Sequence, residues 1–184
     1  GGAGSSAETQ GDMAEGSGKG RYVESTVYEG SGFSDRVQTQ VLADGRIVFL
    51  NGLMKQMVVS QDGGDSWEVE ANDAFYEFID VHYPYHAAIA EDGTIALIGM
   101  DRREDSPEGK GAEYDFNLYI YDTDNTSRQI PFELPDADST PSYVAFDNEK
   151  TLYLYVAGCK NIYKVDIDVG TSEKLVTLAD SCQM

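Results

Sequence analysis

The chain has 184 residues, enough for one ordinary domain with its own core, and sets 13 Lys plus Arg against 33 Asp plus Glu, a formal net charge of −20. A surface this acidic repels nucleic-acid phosphates and anionic lipid, so neither is an expected partner; divalent cations, neutral sugars, peptides and basic proteins remain. The sequence contains neither an apolar run of about 18 residues nor a charged-then-apolar secretion signal.

The first element is a leader, "GGAGSSAETQGDMAEGSGKG" (residues 1–20), with seven Gly, no aromatic residue and Thr9 as its one β-branched residue. It has too little apolar surface to offset ordering entropy and is predicted to be flexible. A Gly/Ser-rich acidic leader before a β domain resembles the spacer that follows the lipid-modified Cys of Gram-positive surface lipoproteins. That resemblance implies an extracellular or cell-surface location, with membrane attachment only through a lipid anchor outside this sequence. The same composition also suits an artificial tag joined to a disordered N-terminus.

From Arg21 onward short segments rich in Val, Ile, Tyr and Phe are broken every eight to twelve residues by Asp-Gly, Asn-Gly or Asp-Asn pairs, which predicts a nearly all-β domain. After a leading strand at 21–30, "QVLADGRIVFLNG", "AIAEDGTIALIGM" and "VAFDNEKTLYLYVAG" each read strand, turn, strand. Each is followed by a second pair: "QMVVSQDGGDSWEVE", "NLYIYDTDNTSRQIPFEL" and "NIYKVDIDVGTSEKLVTL". The unit is a four-stranded antiparallel meander, expected at about 33–75, 76–134 and 141–179.

The turn of the second pair recurs in register as Ser60-x-Asp62-x-Gly64-x-Ser66, Asp122-x-Asp124-x-Thr126 and Asp166-x-Asp168-x-Gly170-x-Ser172. The third-position Asp repeats after 62 and then 44 residues, the longer interval holding the insertion "DRREDSPEGKGAEYD". "SQDGGDSW" resembles the Asp-box, S/T-x-D-x-G-x-S/T-W, of BNR-repeat β-propellers such as sialidases and photosystem II assembly factors. The match is complete over Ser60–Trp67 and degenerate in the later copies. The resemblance implies a β-propeller-type array of four-stranded antiparallel meander blades. Because propellers have four to eight blades, three plus a leading strand imply a fragment of a larger propeller, or a partial one completed by another subunit.

Within the Asp-box the residue types predict structure before chemistry. The Asp62 carboxylate accepts from its own turn, Gly64 takes positive φ, and Trp67 covers an apolar gap, whereas no His stands nearby to activate Ser60 or Ser66. Propeller geometry then puts these turns on one face and the second-to-third-strand loops and blade connections on the other, where ligands bind. On that face "DVHYPYHAAI" offers His82, Tyr83, Tyr85 and His86, the two histidines sharing a side if the chain is extended. Tyr143 sits in the next blade connection. Arg102 and Arg103 are adjacent in a chain with six Arg, forming a recognition site for an acidic group or an excursion whose charges neutralise one another.

No cofactor is implied. Asp136 with Asp138, and Asp122 with Asp124, supply oxygen ligands for Ca²⁺, but no twelve-residue Ca²⁺ loop is present. Two His and Asp80 make an incomplete metal set. Cys159 and Cys182 suit one disulfide or two free thiols. The expected function is a non-catalytic binding module for a glycan, peptide or protein. The alternative is a fragment of a sialidase-like glycosidase; its Arg triad and Arg-Ile-Pro segment find no counterpart, since Ile47 is followed by Val48, and no catalytic residue is assigned.

Overall fold

The computed structural model describes residues 37–51, 56–106, 113–132 and 141–179. The leader, the proposed leading strand, Asp136, Asp138 and Cys182 lie outside them.

One turn, repeated, converts the Asp-Gly and Asp-Asn pairs into hairpins. At residues 42–46, 90–94, 122–126 and 147–151 the first N–H donates to the fifth carbonyl at 2.8–3.0 Å and the fourth N–H returns to the first carbonyl. That geometry, a type I turn closed by a left-handed residue, is filled by Gly45 (φ 89°), Gly93 (φ 97°), Asn125 (φ 66°) and Lys150 (φ 63°). Short Asp side chains lock it: Asp44, Asp92 and Asp124 each accept from the N–H two residues on.

These turns join three four-stranded antiparallel meanders. The first contains β1 (Val37–Val41), β2 (Ile47–Asn51), β3 (Gln56–Ser60) and β4 (Glu68–Val69). The second contains β5 (Tyr83–Ile89), β6 (Ile95–Arg102), β7 (Tyr114–Tyr121) and β8 (Ser127–Ile130). The third contains β9 (Pro141–Phe146), β10 (Leu152–Val156), β11 (Asn161–Asp166) and β12 (Thr171–Thr177). The fold is all-β in class, a β-propeller-type array of blades whose first strands converge, β5 lying against β1 on one side and β9 on the other.

Burial pattern follows position in the array. The middle sheet is covered on both faces: Ala87, Ile89, Leu97 and Tyr119 enter one core with Leu42, Leu50 and Val59, while Ala88, Ala96, Ile98 and Ile120 enter a second with Leu152, Leu154 and Val165. Hence β6 is an almost unbroken apolar run, buried from Ile95 to Gly99. In the third sheet β10, "LYLYV", alternates buried and half-buried residues, as a strand with one covered face should. The first-to-second-strand turns tie the blades together: Ala43 N–H donates to Glu91 O at 2.7 Å, and Lys150 Nζ meets Asp92 Oδ2 at 2.8 Å.

One element departs from the all-strand expectation. The first blade connection, residues 71–85, contains a helix, α1 (Asp73–Val81). Asn72 Oδ1 caps it by accepting from Phe75 N–H at 3.0 Å, and Phe75, Phe78 and Ile79, spaced three and one apart, form its buried face in the first core. The helix replaces the rest of an outer strand, because β4 pairs with β3 over two residues only. Beyond them the Tyr76 hydroxyl lies 3.5 Å from Met57 N, as an acceptor, and donates to Glu70 O at 2.7 Å, standing in for a missing ladder rung.

Candidate functional site

The Asp-box is a closed circuit of hydrogen bonds. Asp62 Oδ1 accepts from Ser60 Oγ at 2.8 Å and Ser66 N–H at 2.9 Å, and Oδ2 accepts from Ser66 Oγ at 2.5 Å. Gly64 N–H donates to Ser60 Oγ at 2.8 Å, and Gly63 and Gly64 take φ of 77° and 103°. Trp67 Nε1 donates to Gly64 O, and its ring meets Phe49 edge-on with centroids 5.1 Å apart. The Ser66 hydroxyl and N–H, with the Ser60 hydroxyl, hold the Asp62 carboxyl down to about 2. Both hydroxyls and the carboxylate are occupied in holding the turn. The degenerate copies work differently: Asp124 accepts from the Thr126 N–H and hydroxyl, whereas in the third copy the acceptor is Asp166, bonded to the N–H groups of Asp168 and Val169.

At the opposite end of the blades the converging strands β1, β5 and β9 border an open cleft of about 470 Å³. Its walls are Gln38, Tyr85, His86, Ser142, Tyr143, Tyr155 and Ala157. Two β-bulges shape it. The β5–β6 register shifts between Pro84 and His86, making Tyr85 the extra residue, and the β9–β10 register shifts between Tyr155 and its neighbour, making Ser142 the extra one. Bulges re-aim side chains, and here both extra residues line the same cleft. The ring of His86 meets Tyr143 edge-on at 4.7 Å, and Tyr143 and Tyr155 lie 6.3 Å apart with planes at 31°.

Of the residues singled out in the sequence, Tyr85, His86 and Tyr143 are therefore brought together. His82 is not with them. The expectation that His82 and His86 share a side of one strand is incorrect, because His82 caps the C-terminus of α1, where its N–H donates to Phe78 O. Its ring stacks on Tyr119 at 3.9 Å, on the first-core side, while His86 faces the third blade. His82 Nδ1 lies 2.9 Å from Asp101 Oδ1, and Asp101 Oδ2 accepts from Tyr119 Oη and Asn117 Nδ2. Burial opposes ionisation of Asp101, but the bonds from Tyr119, His82 and Asn117 outweigh it and hold the carboxyl below its ordinary range. Burial first, then the adjoining Asp101 carboxylate, pushes the Tyr119 phenol well above the usual tyrosine range. The cluster fastens α1 to the middle sheet.

Tyr83 is 40 % exposed and outside the cleft lining. Arg103 pairs with Glu113 and Asp115, both at 2.7 Å, and Arg102 donates to Ser106 O at 3.3 Å, so the two arginines close the base of their own loop. Asp122 lies 3.5 Å from Arg128. Among the described residues no group of three or more His, Cys, Asp or Glu is placed to hold a metal ion, and no helix is long and apolar enough to cross a membrane. Cys159 packs against the second core.

Tyr155, Gln38 and Ser142 are cleft residues that the sequence reading passed over. Alternation in "LYLYV" already sends Tyr155 away from the core; the bulge that brings in Ser142 is marked in the sequence only by Pro141 before it. A smaller cavity of about 140 Å³ lies at the Asp-box end, between the first two sheets. There Asn125 Oδ1 accepts from Asn72 Nδ2 at 2.8 Å and from Tyr121 Oη at 2.9 Å, completing a structural contact between blades.

No family model matches the chain, and no curated protein matches it. Among solved structures it is similar to a catalytically inactive virginiamycin B lyase from Staphylococcus aureus with quinupristin, at 17 % identity over 80 % of this chain and 43 % of that one, TM-score 0.45. A streptogramin B lyase follows at 15 % identity, 74 % and 38 % coverage and TM-score 0.42. Porphyromonas gingivalis dipeptidyl peptidase 4 matches at 14 % identity, 74 % and 24 % coverage and TM-score 0.42. The chain spans less than half the length of each of these three, and at such identities the likeness carries no information about activity.

Proposed function

We propose that the chain is a non-catalytic, extracytoplasmic ligand-binding module of Asp-box propeller type, and that it binds through the cleft between β1, β5 and β9. The observation that carries this reading is the pair of β-bulges that aim Tyr85 and Ser142 into one aromatic-walled opening, on the face opposite the Asp-box. Aromatic side chains supply contact area at low entropic cost, and a concave site with a few polar groups is the usual form of a small-ligand site. The Gly/Ser-rich leader supports a tethered location at the cell surface.

The reading includes completion of the array by another subunit. Val41 and Val69 on the first sheet and Leu175 and Val176 on the third remain 42–58 % exposed, which supports further packing at the two ends. The test is binding of the purified chain to glycan and peptide arrays. Loss of the bound ligand in Tyr143→Ala and Tyr155→Ala is the expected result. Retention in both variants removes the cleft assignment, and hydrolysis of a fluorogenic sialoside by the purified chain overturns the non-catalytic reading.

A further inference from the structure

We infer that the cleft selects a diffuse organic cation, specifically a small molecule bearing a quaternary ammonium group; this rests on the reading of the cleft as the ligand site. Three features converge. The first is charge: the molecule carries a net −20, which concentrates cations around every concave surface it offers. The second is ring geometry. Tyr143 stands at 70° to His86 and 31° to Tyr155, so the rings form angled walls and not a single flat platform of the kind a sugar ring stacks on. Tyrosine faces carry negative quadrupole potential, and angled walls let several act on one cation.

The third feature is what the walls are made of. Among the described residues the lining comprises three tyrosines, one histidine, one amide, one hydroxyl and one alanine, and no carboxylate. A primary ammonium or a guanidinium must replace three to five strong hydrogen bonds to water when it leaves solvent, and a carboxylate is the usual replacement. A quaternary ammonium has no N–H to satisfy and is held by ring faces and long-range potential alone. Gln38 and Ser142, at the edge of the cleft, then meet the polar remainder of the molecule.

The test compares choline with its uncharged carbon isostere, dimethylbutanol, by calorimetry and by the ring-current shift of the methyl protons. Choline should bind at least about tenfold more tightly than the isostere, with its methyl resonance moved upfield. Tyr143→Ala should abolish this while Tyr143→Phe, which keeps the ring, retains it; circular-dichroism melting of each variant reports folding. Equal affinity for the isostere, or no choline binding by folded wild-type protein, overturns the inference. In that event a neutral array ligand whose binding still depends on Tyr143 leaves the cleft reading standing, whereas ligands indifferent to Tyr143 and Tyr155 remove both.

Discussion

Tyr143 of β9 and His86 of β5 meet ring edge to ring face with centroids 4.7 Å apart, so two blades touch at the border of the cleft through side chains and not through core packing. Tyr143 is 53 % exposed. Tyr143→Ala should therefore cost only about 0.5–1 kcal/mol in urea unfolding, the worth of an exposed aromatic pair, while lowering ligand affinity by about tenfold or more. A large stability loss without an affinity loss would assign the ring to structure.

Asp101→Asn should detach the C-terminal end of α1. The carboxylate accepts from Tyr119 and Asn117 and pairs with His82, and an amide satisfies these partners poorly, at a cost of about 1–3 kcal/mol. The folded-state carboxyl is held below its ordinary range, so its contribution is present above the unfolded value and fades as pH falls through the folded one. Chemical denaturation from pH 7 to 3 should show a shallower decline for Asp101→Asn than for wild type. An identical slope would mean that Asp101 contributes nothing to acid sensitivity.

Gly99→Ala probes the same cluster from the sheet. An added Cβ would stand 2.9 Å from the Tyr119 ring and 3.2 Å from His82 Cβ. Neither ring can retreat without breaking the stack, so the expected cost is about 1–3 kcal/mol, read as a lower urea midpoint at unchanged slope.

Asp62, held at about 2, keeps the Asp-box turn intact through the range where ordinary carboxyls titrate. Its sign is that of any depressed acid: the contribution is complete above the unfolded value near 3.8 and is lost only as pH falls toward 2. Amide exchange at Ser66 in wild-type protein should remain protected at pH 3.5, and Asp62→Ala should lose that protection already at pH 7. Unchanged Ser66 protection in the variant would show that the glycines alone set the turn.

Sheets and turns were legible because they rest on local chemistry. Asp-Gly pairs at regular intervals specify left-handed turn positions, and Gly45 and Gly93 occupy them; Lys150 fills the same position without the glycine signal. The Asp-box face followed from eight consecutive residues. The helix was missed although Asn72 and the Phe75, Phe78, Ile79 spacing signal one, because nine residues rich in Phe, Tyr, Ile and Val also fit a strand. Side-chain direction at the site was only partly legible. A register of two assigned His82 and His86 to one side, and it fails because His82 belongs to the helix end and Tyr85 is the extra residue of a bulge; Pro84 in that strand was the hint.

Tyr76 offers a last prediction. Tyr76→Phe removes the hydroxyl that contacts Met57 N and donates to Glu70 O, and should cost about 0.5–1.5 kcal/mol with faster amide exchange at Met57. Exchange at Met57 unchanged from wild type would show that solvent already serves that amide.

The same arrangement bears on edge-to-edge pairing at the first sheet. A meander whose outer strand pairs over two residues would leave β3 as a bare template for another chain's backbone, the geometry from which fibrillar stacking begins. A helix cannot extend a ladder, and α1, with its tyrosine fastened across the gap, makes that edge sterile. Loosening α1 is then expected to raise aggregation as well as to lower folding stability, since the helix also carries Phe75, Phe78 and Ile79 of the first core.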